Sequence, residues 1–210
     1  MGRYTDAICR LCRRHGEKLF LKGTRCNTEK CAMTRRAFAP GQHGPSRSKS
    51  KLSNYGLQMK EKQKVKRIYG VLERQFRRYF AIASKSKGVT GKILLQLLER
   101  RLDNVVFRMG LGVSRTQARQ LVRHNFVIVD SKRVNIPSYL VSAQEVIQIK
   151  PTDKAKKKAA EIMELTKDRT VPSWLEFDAK ELKARVTRLP EKDDIQMPIQ
   201  EQLIVELYSK

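Results

Sequence analysis

Negative charge is scarce in most of this chain of 210 residues. Residues 1–150 contain 9 Asp or Glu against 33 Lys or Arg, whereas residues 151–210 contain 12 of each, so the whole formal excess of +24 lies in the first part. A surface that serves only solubility mixes both signs along the chain. The segregation predicts a polyanionic partner for residues 1–150, and it favours a nucleic acid over a membrane surface.

The chain also lacks the sequence features of membrane proteins, secreted proteins and enzymes. No run of about 18 apolar residues is present, which predicts no helix that crosses a membrane. Residues 1–6 lead into no apolar segment of signal-peptide length, so a cytoplasmic protein is expected. All three histidines precede residue 125, and the last 60 residues hold neither a Ser/His/Asp cluster nor a Gly-rich phosphate loop. We therefore predict a binding protein and not an enzyme.

Four cysteines form two closely spaced pairs near the N-terminus. Cys9 and Cys12 make a C-x2-C pair, Cys26 and Cys31 make a C-x4-C pair, and 13 residues separate the pairs. Each pair can hold one edge of a tetrahedron around zinc, and four thiolates leave no coordination position open. The pattern predicts one structural Zn2+ per chain. The alternatives are an iron–sulfur cluster, disulfides, free buried thiols, and His15 in place of one cysteine.

Residues 57–98 have a helical pattern with one apolar face. Apolar and aromatic side chains recur every three or four positions, as on one stripe of a helix. They are Val65, Ile68, Tyr69, Leu72, Phe76, Tyr79 and Phe80. Gly70 interrupts the pattern and predicts two helices. Basic residues lie largely off the stripe with few acids among them, which favours a phosphate-binding surface over a merely solvated face.

Residues 99–150 carry the most specific pattern. A first helix ends near Gly110, and Ser114 is expected to cap a second helix that runs to His124. The periodicity then changes to that of short strands. These strands are expected at 127–129, 134–136 and 146–149, with a hairpin turn between the first two. Helices beside a small sheet with basic outer residues suit RNA better than the groove of duplex DNA.

These segments together predict an α+β protein in three parts: a zinc-stapled N-terminal segment, an all-helical domain, and a small RNA-binding module of helices packed on a short-stranded antiparallel sheet. The expected boundaries are 1–45 for the zinc-binding segment, 46–98 completed by 181–210 for the helical domain, and 99–180, with a core at 99–165, for the module. The neutral C-terminal segment is expected to serve packing and protein neighbours.

Several motifs in one order along the whole chain resemble those of the ribosomal protein S four family of the small subunit, in its bacterial, four-cysteine zinc form. The motifs are Met1-Gly2-Arg3-Tyr4, the cysteine pairs, Pro40-Gly41-Gln42-His43-Gly44, Tyr55-Gly56-Leu57-Gln58, the stretch from Glu61 to Phe80, Arg101-Leu102-Asp103-Asn104-Val105-Val106, the stretch from Ser114 to His124, Pro172-Ser173-Trp174-Leu175, and Glu206-Leu207-Tyr208-Ser209-Lys210.

The resemblance implies a structural constituent of the small ribosomal subunit. It implies a primary binder of 16S rRNA at a multi-helix junction in the 5′ domain, which nucleates assembly and influences translational accuracy. Ribosomal protein S five is the implied neighbour, and ribosomal protein S three and messenger RNA at the entry channel are further expected partners. A zinc-dependent nucleic-acid-binding regulator and an RNA-modification factor are the alternative functions.

Basic, polar and aromatic residues away from the apolar faces are the expected RNA contacts, since cations neutralise phosphates and rings stack on unpaired bases. They are Arg3, Tyr4, Arg13, Arg14, Lys22, Arg47, Lys49, Lys51, Lys60, Lys64, Arg67, Arg74, Arg78, Arg101, Ser114, Arg115, Gln117, Arg119, Gln120, Arg123, His124, Lys132 and Arg133. The expected structural core includes Leu72, Phe76, Leu102, Val106, Leu121 and Trp174.

Overall fold

The computed structural model describes residues 2–45, 52–195 and 197–209. Its α-helices are α1 (Cys9–His15), α2 (Ala32–Arg35), α3 (Asn54–Ile68), α4 (Glu73–Lys85), α5 (Thr90–Glu99), α6 (Leu102–Arg108), α7 (Arg115–Arg123), α8 (Asp153–Leu165) and α9 (Glu201–Tyr208). Its strands are β1 (Val127–Val129), β2 (Lys132–Arg133), β3 (Val146–Ile149), β4 (Leu175–Asp178) and β5 (Lys183–Val186). Short 3-10 helices occupy Gly23–Asn27 and Lys192–Asp194. No helix within these described ranges is long and apolar enough to cross a membrane.

The described residues group into two compact units, 2–94 with 197–209, and 95–195. In the first unit, α3 begins after Ser53, whose hydroxyl accepts a hydrogen bond from the Gly56 N–H at 3.2 Å. α3 ends before Gly70, which has a φ of +63°, a conformation that glycine adopts without strain. The predicted break of the pattern into two helices is therefore confirmed.

Leu72 departs from the predicted core. It is 39% exposed and lies at the position immediately before α4, outside the helix. Because the chain turns at Gly70, the apolar stripe is not continued in register across the break, and Val71 is buried there instead. The other residues of the predicted core are buried: Phe76, Leu102, Val106, Leu121 and Trp174.

The last residues of the chain complete the first unit, where α9 packs against α3. The Gln58 side-chain amide donates to Glu206 Oε2 at 3.0 Å. The Lys64 ammonium donates to the Pro198 carbonyl at 2.7 Å. Contacts between positions so far apart in sequence hold residues 197–209 on a helix formed near the start of the chain.

The second unit contains one sheet with the strand order β2-β1-β3-β5-β4, in which every pairing is antiparallel. Asp130 and Ser131 both have positive φ, as a two-residue hairpin turn requires. The turn brings Lys132 opposite Val129. The second strand is therefore Lys132–Arg133 and not 134–136 as predicted, because the turn takes only two residues, whereas the predicted strands left four between them.

Residues 181–195 lie in the second unit and not in the helical domain to which the sequence pattern assigned them. The cause is β5, which pairs with β3 on one side and β4 on the other, with Ala184 opposite both Ile147 and Phe177. Alternate residues of these strands join the core formed by α6, α7 and α8. The C-terminal segment is thus divided between the two units.

Trp174 is a core residue whose hydrogen-bonding group is not used. It is 1% exposed, and its indole Nε1 has no hydrogen-bond partner among the residues that the structure describes. We expect Trp174→Phe to lower the free energy of unfolding by only about 1 kcal/mol, since it keeps most of the packing and breaks no hydrogen bond, whereas Trp174→Ala should cost about 3–5 kcal/mol. Urea unfolding monitored by circular dichroism measures both. Equal losses for the two variants would show that the ring is not what fills this site.

Candidate nucleic-acid interface

The four cysteines line one small cavity in the first unit. Cys9 and Cys12 lie on α1, Cys26 lies in the first 3-10 helix, and Cys31 immediately precedes α2. The cavity measures about 20 Å³, and the Lys22 N–H donates to Cys26 Sγ at 3.4 Å. All four cysteines are free thiols. The local turns thus bring both sequence pairs to one place.

The cysteines also share one electrostatic environment. Burial raises the pKa of the Cys12 and Cys26 thiols, and neighbouring cysteines act in the same direction. His15, the alternative ligand, is buried but does not line the cavity. Among the described residues, however, no group of three or more His, Cys, Asp or Glu side chains is arranged to hold a metal ion. The cavity gathers the four predicted zinc ligands, but their arrangement does not amount to a metal centre.

Glu73 binds two lysines of α3 that are buried and not offered to a ligand. Lys62 and Lys66, with side chains 7% and 9% exposed, contact its carboxylate at 3.0 and 2.7 Å. The Tyr208 hydroxyl donates to the same carboxylate at 2.8 Å. Burial opposes ionisation of Glu73, but the hydrogen bonds from Lys66, Lys62 and Tyr208 outweigh it and lower its pKa to about 2. This ion cluster joins α3, α4 and α9.

Three predicted RNA contacts are instead internal structural groups. Lys64 is 8% exposed and is bonded to the Pro198 carbonyl. Arg101 is 2% exposed and donates to both oxygens of Asp103, at 3.1 and 2.8 Å. Ser114 caps α7 as predicted, accepting from the backbone of residue 117 at 3.3 Å. The prediction that these three side chains contact RNA is therefore wrong, because reaching RNA would break their buried interactions.

Most of the other predicted contacts of the first unit are accessible. The exposed ones are Arg3, Arg14, Lys22, Lys60, Arg74 and Arg78. Tyr4, Arg13 and Arg67 are half-buried. Arg67 stacks over the Tyr4 ring at 4.8 Å, and Arg13 stacks over the Phe38 ring at 5.0 Å. Arg47, Lys49 and Lys51 lie outside the described residues.

In the second unit, α6 holds the arginines of α7. Arg119 donates to Asp103 Oδ2 at 2.9 Å, and Arg115 Nε donates to Asn104 Oδ1 at 2.8 Å. Asp103 and Asn104 are 4% and 2% exposed. The Arg115 guanidinium also lies 4.4 Å from the centre of the Phe107 ring. Both arginines, which are half-buried like Gln117, are therefore oriented by the protein itself.

Glu99 binds two residues of α6, Asn104 and Arg108. It is 1% exposed and accepts two hydrogen bonds from the Arg108 guanidinium, at 3.0 and 2.7 Å, and one from the Asn104 amide at 2.6 Å. Arg169 donates to the Gly112 carbonyl at 2.8 Å. The sequence pattern did not predict these roles, although an acid and an amide beside an apolar stripe indicate a buried polar network.

The outer side of α7 and the hairpin remain open. Thr116, Gln120, Arg123 and His124 recur at helical spacing and are exposed, opposite the buried Ala118, Leu121 and Val122. Lys132 and Arg133 are exposed on β2. These side chains present cations and amides on a rigid support, which suits contacts to phosphates, sugars and base edges.

Comparison with known proteins agrees with this geometry. Residues 3–99 match the family model of the ribosomal protein S4/S9 N-terminal domain, and residues 100–147 match that of the S4 domain. Together these matches define a ribosomal protein built on an S4 domain. The chain is 60% identical to small ribosomal subunit protein uS4 of Acetivibrio thermocellus, 59% identical to that of Thermodesulfovibrio yellowstonii and 58% identical to that of Pelotomaculum thermopropionicum. Each match extends over 210 residues and the full length of both chains. The chain belongs to the uS4 family of small ribosomal subunit proteins.

Proposed function

We propose that this protein is a structural constituent of the small ribosomal subunit that binds 16S rRNA and has no enzymatic activity. The observation that carries the proposal is the open face of α7 and the β1–β2 hairpin, inside the segment that matches the S4 domain. The buried groups of α6 orient two α7 arginines beside this face before RNA arrives. Pre-ordered side chains lower the entropic cost of binding. The site of action is the ribosome, in the cytoplasm.

A more specific role in the ribosome is proposed from the resemblance to the family. We propose that the protein binds a multi-helix junction in the 5′ domain, nucleates assembly, and influences accuracy together with ribosomal protein S five. Ribosomal protein S three and messenger RNA at the entry channel are proposed as further neighbours. The support from the molecule is its charge, since the basic excess lies in residues 1–150 and a folded RNA junction is bound through phosphates and shape.

A comparison of RNA with DNA tests the proposal. Filter binding with a 5′-domain rRNA fragment should show saturable binding that weakens steeply with salt, by about 0.7–0.9 in the log–log slope for each phosphate contact. A duplex DNA of equal length should bind at least about 100-fold more weakly, as non-specific binding does. Equal affinity for both would sink the proposal and favour a zinc-dependent regulator of DNA. A flat salt profile would contradict binding through phosphates.

We also propose that Cys9, Cys12, Cys26 and Cys31 hold one structural Zn2+ as thiolates. The support is the donor set, because four cysteines from two tight pairs line one cavity, and each thiol would lose its proton on binding. Such an ion would stabilise the fold of the N-terminal segment at 1–45. We propose that this segment is one of three domains, together with a helical domain at 46–98 and the RNA-binding module.

Elemental analysis of the purified, reduced protein tests the metal. About one zinc per chain is expected, and Cys26→Ser should lose it. Because the ion would support the N-terminal segment, chelation should increase proteolysis there while leaving the second unit resistant. A folded wild-type protein without zinc would refute the site, and bound iron with sulfide would favour the cluster alternative.

A further inference from the structure

Several lysines beyond the S4 domain match form no ion pair with any of the described residues. Lys150 precedes α8, and Lys154, Lys157 and Lys158 lie in its first two turns. The three helix lysines are exposed and Lys150 is half-buried, and within the described residues none of the four forms a salt bridge. Asp153 is the single acid of the first turn.

The position of these lysines makes their charge unfavourable in the protein alone. The N-terminal end of a helix carries partial positive charge, so cations there are repelled by the backbone as well as by one another. Two other lysines of this unit have acidic partners, since Lys167 lies 4.0 Å from Glu164 and Lys183 lies 2.6 Å from Glu181. An anionic ligand would remove the repulsion that the protein leaves in place.

Phe126 connects the lysines to the open face of α7. The Lys158 ammonium lies 5.3 Å from the centre of the Phe126 ring, and the Lys150 N–H donates to the Phe126 carbonyl at 2.8 Å. Arg123 immediately follows Val122 at the end of α7, three residues before Phe126. Lys154 shares the side of Lys158, because residues four apart lie on one face of a helix.

We infer that the start of α8 continues the RNA-binding face of α7, and that Lys154 and Lys158 contact the phosphate backbone of the same RNA. The inference rests on the proposed function. Residues 151–210 are neutral overall, which suggested that they contact protein neighbours. In α8, however, the lysines lie in the first half of the helix and both glutamates lie in the second half, so the start of the helix is basic. The observation that joins the two surfaces is the contact of Lys158 with Phe126, which lies three residues after Arg123.

Lys156 provides a matched control on the same helix. It lies on the side of α8 away from Lys154 and Lys158, where it lines an open groove. Lys157, Lys167 and Lys180 line the same groove, as do the acids Glu161 and Glu164. The double variants K154A/K158A and K156A/K167A each remove two exposed positive charges, the first pair from α8 and the second from α8 and the turn that follows it. Alanine favours the helix, so both variants should remain folded, and thermal unfolding checks this.

Binding of the full-length variants to the 5′-domain rRNA fragment, titrated from 50 to 400 mM KCl, tests the inference. K154A/K158A should bind about tenfold more weakly at 100 mM salt, and its log–log salt slope should be smaller by about 1.5, as for two lost phosphate contacts. K156A/K167A should bind within about twofold of wild type with the wild-type slope. K154R/K158R, which keeps the charge, should retain the wild-type slope.

Equal binding by the two alanine variants would overturn the inference and leave an acidic protein as the partner of this lysine group. The proposed function would survive that result, because wild-type binding to RNA would be intact. A wild-type protein without RNA affinity would instead overturn the proposed function, and the inference with it.

Discussion

Replacing Glu99 with alanine should lower the free energy of unfolding of the second unit by about 3–5 kcal/mol, the usual effect of removing one partner of a buried ion pair. The Glu99 side chain is 1% exposed and that of Arg108 is 9% exposed. The variant leaves the Arg108 guanidinium without its carboxylate. It also removes one of the two acceptors of the Asn104 amide, the carboxylate at 2.6 Å, while the Glu99 carbonyl at 3.0 Å remains. Urea unfolding followed by circular dichroism measures the loss.

The matched control is Glu164→Ala. Glu164 also pairs with a basic residue, Lys167, but at 4.0 Å and with both side chains about three-quarters exposed. Surface pairs of this kind contribute about 0–1 kcal/mol, so the control should unfold close to wild type. If Glu99→Ala resembled the control, the buried pair would not be a determinant of stability.

Replacing Glu73 with glutamine should destabilise the first unit by about 2–4 kcal/mol, because two lysines with almost no access to water lose their shared anion. Lys62 and Lys66 would then repel each other across a neutral amide, and the Tyr208 hydroxyl would lose a charged acceptor. Glu181→Gln is the control, since Glu181 pairs with Lys183 at 2.6 Å in a 58% exposed position. Limited proteolysis within residues 52–94 reports on this unit directly.

The same carboxylate makes stability depend on pH. The pKa of Glu73 falls from 4.5 to about 2 on folding, so its contribution is complete above about pH 4.5 and is lost as the pH falls toward 2. Since Glu73 is partly exposed, we expect this to amount to about 1–2 kcal/mol. Between pH 4.5 and 2 the wild type should therefore lose more stability than Glu73→Gln. Parallel acid unfolding curves for the two proteins would contradict the assignment.

Helix caps and turns were predictable from the sequence, whereas burial of a side chain by residues far away in the chain was not. Ser114 caps α7 and Gly70 separates α3 from α4 because a cap and a left-handed turn depend on neighbouring residues alone. Lys64 looked like an RNA contact because its partner, Pro198, lies 134 residues away. No periodicity within α3 can show that a distant carbonyl accepts from this lysine.

The same limit applies to the proposed RNA-binding face. Exposed cations on α7 follow from its helical spacing, but the support of Arg115 and Arg119 by Asn104 and Asp103 requires the packing of α6 on α7. The neutral charge of residues 151–210 concealed the lysines at the start of α8, because total charge ignores their order along the helix.

The packing of residues 197–209 on α3 determines when the contacts of the first unit can form during synthesis. A chain leaves the ribosome N-terminus first, and domains fold as units while they emerge. The second unit is continuous from 95 to 195 and can finish while translation proceeds. The first unit begins to emerge earlier, but its hydrogen bond from Tyr208 to Glu73 can form only once α9 has been made. The contacts that α9 makes with α3 and α4 therefore form only after the second unit has been synthesised.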